Sequence, residues 1–264
     1  MERFIELTAW GMTPPKAYGA FHLIFMLAGF LLCLAAARRL KNISERGSRT
    51  VLLTVGLILL LSEVYKQLFY YYHIGGGSYQ WWIFPFQLCS VPMYLCIAAA
   101  FLKPGNLRDG MCYFMSSYNL LGGAVAFLEP SGLCHEYLTL TLHAFIWHML
   151  LVFVGVFLIV SGRGCKKTED FRQASCTFLG LCYVAFMFNL IFRKVSGQTI
   201  NMFFLGPVNN PLIVFKSIAA SSGWYTATLL YIPTVCFGAW LVYRLALLCC
   251  SHDGGRRRQL VLTK

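Results

Sequence analysis

The chain has 264 residues, of which 58% are apolar, 16% aromatic and only 12% charged, and its mean hydropathy is +0.63. An ordinary soluble domain carries about 25% charged residues, so a water-soluble globule, a disordered chain and a disulfide-stapled secreted module are all excluded. The net charge of +12 then calls for a membrane explanation before a nucleic-acid one.

Seven apolar runs approach the ~20 residues that cross a bilayer, at about 18–38, 50–73, 81–102, 108–128, 138–162, 171–194 and 224–250. The expected fold is an all-α polytopic membrane bundle of about seven transmembrane helices forming a single domain over 1–264. The first run is long and follows a charged, proline-containing leader, unlike a cleaved signal peptide. The fourth is diluted by Ser116, Ser117, Asn119, Gly122 and Gly123, and a six-span arrangement would lay it in the interface. Basic residues set the orientation. Arg38, Arg39, Lys41, Arg46 and Arg49 follow span one, Lys103 and Arg108 follow span three, and Arg163, Lys166, Lys167 and Arg172 follow span five. Connectors after spans two and four hold no Lys or Arg, so the N-terminus is expected outside and the C-terminus inside. The basic inner face, with Arg256, Arg257 and Arg258, suits anionic lipid headgroups, and no nucleic-acid partner is implied. Of the 11 cysteines only Cys134 falls in an outer connector, so no extracellular disulfide framework is expected.

Polar side chains inside hydrocarbon turn toward a bundle interior, a partner or water. At ~1.5 Å per residue from the outer end of each span, Lys66 lies about 10 Å deep, Glu63 and His148 about 15 Å, Asn119 about 14 Å, Cys89 about 12 Å and Asn189 about 8 Å. This shared level predicts a polar cavity open to the outer face or outer leaflet. Glu63 and Lys66, three apart on a helix, can neutralise each other, either as a structural pair or as a device that positions a headgroup. Span three opens on Trp81 and Trp82 and brings Pro85, Gln87 and Cys89 into sequence. Cys89 is either an inert small hydrophobe or, among polar neighbours at the depth of a histidine, a nucleophile. His143 and His148 are five residues apart, leaving their rings roughly 140° apart on the helix, so no shared metal is expected. Neither HExxH nor CxxC spacing occurs, and no cofactor is implied. His148, the deeper of the two, is the preferred functional histidine. The connector from Val195 to Gly223 contains Asn201, Met202, Phe203, Phe204 and Pro207, too apolar for a solvated loop and too broken for a helix. It reads as a re-entrant lid over the cavity or as an interfacial helix.

The order of Glu63-Val64-Tyr65-Lys66, Pro85-Phe86-Gln87-Leu88-Cys89-Ser90, Asn119 with Gly122-Gly123 and Pro130, His148-Met149-Leu150-Leu151, and Asn201-Met202 with Pro207 and Pro211 resembles the YwaF-like bacterial integral membrane proteins, relatives of the transmembrane protein 164 acyltransferases. The resemblance covers nearly the whole chain. It implies residence in a bacterial plasma membrane and, through the animal branch, acyl transfer to lysophospholipids by a cysteine and a histidine. Two positions depart from the pattern: Gln87 stands where the bacterial members usually carry histidine, and Phe86 stands where the animal branch has its cysteine.

The function expected is a membrane-embedded lipid acyltransferase or acyl hydrolase acting on phospholipid or lysophospholipid. Cys89 is the expected nucleophile and His148 the base, and Gln87, Asn119 or the Asn201 loop supplies oxyanion donors. Glu63, Lys66, Asn189 and His143 complete the substrate site. The competing expectation is a non-enzymatic lipid or small-solute binder, or a transporter, built on the same cavity.

Overall fold

The computed structural model describes the backbone of residues 1–207 and 212–262 and the side chains of 1–207 and 212–248. The side chains of the arginine run at 256–258, and Lys264 and Pro211 altogether, lie outside what is described. Nine α-helices are found among the described residues: α1 Glu2–Thr8, α2 Ala20–Leu40, α3 Glu45–Phe69, α4 Val91–Phe101, α5 Asn106–Phe114, α6 Leu120–Leu128, α7 Leu138–Val160, α8 Phe171–Ile191 and α9 Ile213–Leu262. Their order brings the start of α2, the end of α3 and the starts of α4 and α7 to one end of the bundle, beside α1. The starts of α3 and α5 and the end of α7 meet at the other, here the Glu45 end.

Six helical stretches are long and apolar enough to cross a bilayer, α5 and α6 counting as one. Of α7's apolar window 56% is buried, against 17% for α2, so α7 is the central post and α2 a peripheral helix. Leu31 and Leu32 of α2 face outward. Lipid tails are as apolar as leucine, so helix association here depends on close packing rather than on expulsion of water. Glycines permit that approach: a Cβ on Gly56 of α3 would lie 2.7 Å from Ile97 of α4, and one on Gly155 of α7 would lie 2.7 Å from the Leu120 Cβ of α6.

The third expected span is not a continuous helix. Trp81–Ile83 form one 3-10 turn, the chain then runs irregularly, and α4 begins only at Val91. Two prolines explain the break. Pro85 disfavours helical backbone at Phe84, which is extended at φ −46° and ψ 134°, and Pro92 sits in the first turn of α4, where a missing N–H costs nothing. The 11 residues of α4 reach about 16 Å, roughly half the hydrocarbon core. Seven expected crossings therefore become six long helices and one half-length helix.

The fourth span does form a helix, from Asn106 to Leu128. A π turn over Met115–Asn119 joins α5 to α6 and turns Ser116, Ser117 and Asn119 inward, all buried. The polarity that diluted this segment in sequence thus faces protein. α9 is kinked at Gly223, whose φ of 83° is in the left-handed region that glycine adopts freely. The leader also packs: Ile5 of α1 is buried with Phe69, Tyr70, Ile83 and Leu140, and Met12 N–H donates to the Glu136 carbonyl at 2.8 Å.

Glu45 fastens the opposite end. Its carboxylate takes Arg108 at 2.5 Å, Arg49 at 3.3 Å and Arg163 at 3.4 Å, while Arg108 Nε donates to the Ala99 carbonyl at 2.9 Å. One acid in the first turn of α3 thereby ties together α3, the end of α4, the start of α5 and the end of α7. Arg108 is buried and bonds twice, whereas Arg49 is half-buried and bonds within its own helix. Arg108→Met is expected to destabilise the bundle by about 2 kcal/mol, and Arg49→Met by less than about 1 kcal/mol. Thermal unfolding in nanodiscs ranks the two, and equal losses contradict this assignment.

Candidate functional site

Irregular backbone at membrane depth survives only where protein or a water-lined cavity satisfies it. Three side chains from three elements meet the carbonyls freed between Ile83 and Cys89. Gln67 Nε2 of α3 donates to Ile83 O at 2.8 Å, the Tyr94 hydroxyl of α4 donates to Pro85 O at 2.8 Å, and Trp147 Nε1 of α7 donates to Cys89 O at 3.0 Å. Gln67, Tyr94, Trp147 and Pro92 were not singled out in sequence. The one available signal for Gln67 was its place one turn beyond Glu63. Tyr94 and Trp147 look like ordinary membrane aromatics.

The same segment sets the charged centre. Glu63 is 3% exposed, and its two oxygens accept from Lys66 Nζ at 2.8 and 2.9 Å and from Gln67 Nε2 at 2.7 Å. Lys66 Nζ also stands 6.0 Å from the centroid of the Trp147 ring, within cation–π range. A carboxylate so supported and an ammonium so placed offset each other's desolvation. Lys66 and Glu63 are both electrostatic neighbours of Cys89. His143 stacks on Trp147 with ring centroids 5.4 Å apart, and its Nε2 is buried with no hydrogen-bond partner. His135, in the connector before α7, is held below the ordinary histidine range. Burial is the main cause, with the Gly132 backbone hydrogen bond opposing it and Lys66 adding to it.

His148 is oriented differently. Its Nδ1 pairs with the Ala144 carbonyl at 2.7 Å, and its ring meets Phe127 edge-on. If that bond fixes the tautomer as Nδ1–H, Nε2 carries the lone pair. Lys66 is its electrostatic neighbour as well, but no hydrogen bond joins His148 to Cys89 among the described residues.

Gln87, Asn189 and Asn201 form a second group. Gln87 donates from Nε2 to Asn201 O at 3.0 Å and accepts at Oε1 from Phe203 N–H at 3.0 Å. Asn189 of α8 donates to Met202 O at 3.0 Å and accepts from Met202 N–H at 2.6 Å, and Asn201 Oδ1 accepts from Gly206 N–H at 2.7 Å. The amides act as substitute backbone for a loop that cannot supply its own. Phe203 and Phe204 lie at φ 55° and 56°, left-handed conformations that cost roughly 1–2 kcal/mol each for non-glycine residues. Met202 and Phe203 are fully buried, so this part of the connector is a plug within the bundle and not an interfacial helix.

The single chamber expected from depth is therefore two linked polar groups, with Gln87 and Cys89 of the irregular segment as the link. Asn119 belongs to neither. Its Nδ2 donates to Met115 O at 3.1 Å and to Leu151 O at 3.0 Å, which leaves Oδ1 buried and without a hydrogen-bond partner. Both N–H groups of Asn119 Nδ2 are thus engaged with backbone carbonyls, which leaves it no donor for an oxyanion, whereas Gln87 Nε2 uses one N–H on Asn201 O. Among the described residues no three His, Cys, Asp or Glu side chains converge as a metal site requires. Asn189→Leu strands both Met202 backbone groups, at about 1–3 kcal/mol for each unsatisfied group. It is expected to speed hydrogen exchange across 200–206 while leaving α3 protected. Unchanged exchange in that loop contradicts the clamp.

Neither the curated proteins nor the solved structures yield a match to this chain. A family model does match, and it covers residues 17–243, which include α2 through the body of α9 together with both polar groups. The chain is an integral membrane protein and belongs to the TMEM164 family.

Proposed function

We propose that the chain is a lipid acyltransferase or acyl hydrolase in which Cys89 takes the acyl group from a phospholipid ester. One observation carries the reading: a break in a membrane segment, held open by Gln67, Tyr94 and Trp147, presents a cysteine whose carbonyl is held by the same tryptophan that Lys66 faces at 6.0 Å. Such a break is expensive in hydrocarbon and is tolerated only where protein or a water-filled cavity satisfies its backbone.

A thiol in apolar surroundings rests protonated, so the proton must leave during attack. In the first step the Cys89 sulfur bonds to the ester carbonyl carbon, and the thiol proton passes to the free ring nitrogen of a histidine. The carbon–oxygen bond to the glycerol then breaks, and the leaving lysolipid oxygen takes that proton. In the second step the hydroxyl of a lysophospholipid, or water, attacks the thioester and returns the thiol. Lys66 is the cation placed to stabilise the oxyanion and to face a lipid phosphate, with Glu63 holding it in position. Gln87, Asn189 and Asn201 hold the plug that closes the site, and Asn119 secures the α6–α7 contact.

His148 is the proposed base, since its Nδ1 is anchored and Nε2 is left to accept. His143 is the alternative, favoured by its contact with the tryptophan that holds the Cys89 carbonyl and by its unpartnered buried Nε2. Cys89→Ala in nanodiscs is expected to abolish transfer of a labelled acyl chain from phosphatidylcholine to a lysophospholipid. His148→Gln should lower it by about 10²–10⁴, with lipid binding and thermal stability retained. Full turnover in Cys89→Ala contradicts the reading, and a loss confined to His143→Gln reassigns the base. Retained lipid binding without any turnover in the unmutated chain favours a lipid-binding protein instead.

A further inference from the structure

An apolar groove of about 300 Å³ opens between α8 and α9, on the side of the plug. Cys182, Tyr183 and Phe186 of α8 form one wall, Thr228, Leu229 and Ile232 of α9 the other, with Leu205 of the plug and Trp224 and Tyr225 also lining it. Leu205 is itself buried, on the loop that Asn189 clamps to α8. The groove begins at the kink of Gly223, where the Trp224 and Tyr225 rings stack with centroids 3.7 Å apart, and aromatic residues of this type favour the membrane interface. From Trp224 to Ile232 the helix rises about 12 Å. That is close to the ~15 Å depth of one leaflet's hydrocarbon.

We infer that this groove holds one acyl chain of a membrane phospholipid. Its walls lie on two candidate spans, so hydrocarbon and not water surrounds it. It offers almost no polar contact and so suits an aliphatic chain over a polar solute, and its length matches one chain in one leaflet. The inner end lies against the plug. Buried Tyr231, adjacent to Ile232, meets Phe204 of the plug edge-on with ring centroids 6.3 Å apart. The plug makes the connection, since it contributes Leu205 to the groove and is held by Gln87 two residues from Cys89. The assignment deepens the acyl-transfer reading, on which the delivery of the chain's ester to Cys89 rests, while occupancy of the groove stands independently of catalysis.

The test uses the full chain in nanodiscs doped with phosphatidylcholine carrying a diazirine at the end of one acyl chain. After photolysis, adducts are mapped by peptide mass spectrometry. They are expected to concentrate on 182–186 and 228–232, to persist in Cys89→Ala, and to be lost from those peptides in Thr228→Trp, which fills the groove. Leu229→Trp, at a largely exposed position, provides a second filling variant should the first fail to fold. Adducts on Leu31 and Leu32 of α2 report ordinary surrounding lipid and should not change. Labelling spread evenly over α2, α8 and α9, or groove labelling unaffected by either tryptophan, overturns the site. Loss of groove labelling with acyl transfer unchanged overturns the link to Cys89. An unmutated chain without turnover but with groove labelling overturns the acyl-transfer reading and leaves the groove as a lipid-binding site.

Discussion

The architecture turns on how a broken membrane segment satisfies its own backbone. Between Ile83 and Val91 the chain gives up the internal hydrogen bonds that make a helix tolerable in lipid, and Gln67, Tyr94 and Trp147 replace some of them from α3, α4 and α7. These bonds fix more than one local conformation. They draw α3 and α7 onto the same segment, bring the Glu63–Lys66 pair against it and orient Cys89. α7 supplies the central post because it carries both the tryptophan that grips the break and the glycine that lets α6 approach.

A second irregular stretch, the plug, obeys the same rule by a different means. Carboxamides of Gln87 and Asn189 each donate and accept at once, which is the hydrogen-bonding pattern of a peptide group, and so can stand in for a neighbouring strand. Two phenylalanines, Phe203 buried and Phe204 partly buried, are thereby kept in left-handed conformations. Both polar groups are therefore structural before they are chemical. Of the atoms these bonds leave over, the proposed chemistry draws on the Cys89 sulfur, a ring nitrogen of His148 or His143 and the third donor of Lys66.

Much of the fold was legible because hydrocarbon imposes length and composition on each span. Long apolar runs gave α2, α3, α7, α8 and the body of α9 directly, and the helical fate of the polar fourth run follows once Ser116, Ser117 and Asn119 are seen to turn inward. The third run misled because apolar composition was taken for helix while Pro85 and Pro92, seven residues apart, bracket a stretch that cannot be one. The depth argument set Glu63, Lys66, Cys89, Asn119, His148 and Asn189 at one level, yet Asn119 bonds to the Met115 and Leu151 carbonyls and Asn189 to the plug, since depth fixes a level and not an azimuth. Gln67 and Trp147 were missed for a related reason: a side chain that caps a distant carbonyl carries no local signature, and only the tertiary path of the break reveals the need for it.

The most direct test of an acyl-carrying cysteine at the break is peptide mass spectrometry of the chain after incubation with phosphatidylcholine bearing a deuterated acyl chain. The account predicts a labelled acyl adduct on Cys89 that disappears when lysophospholipid is added. An adduct that never forms, or that forms on a different cysteine, contradicts it.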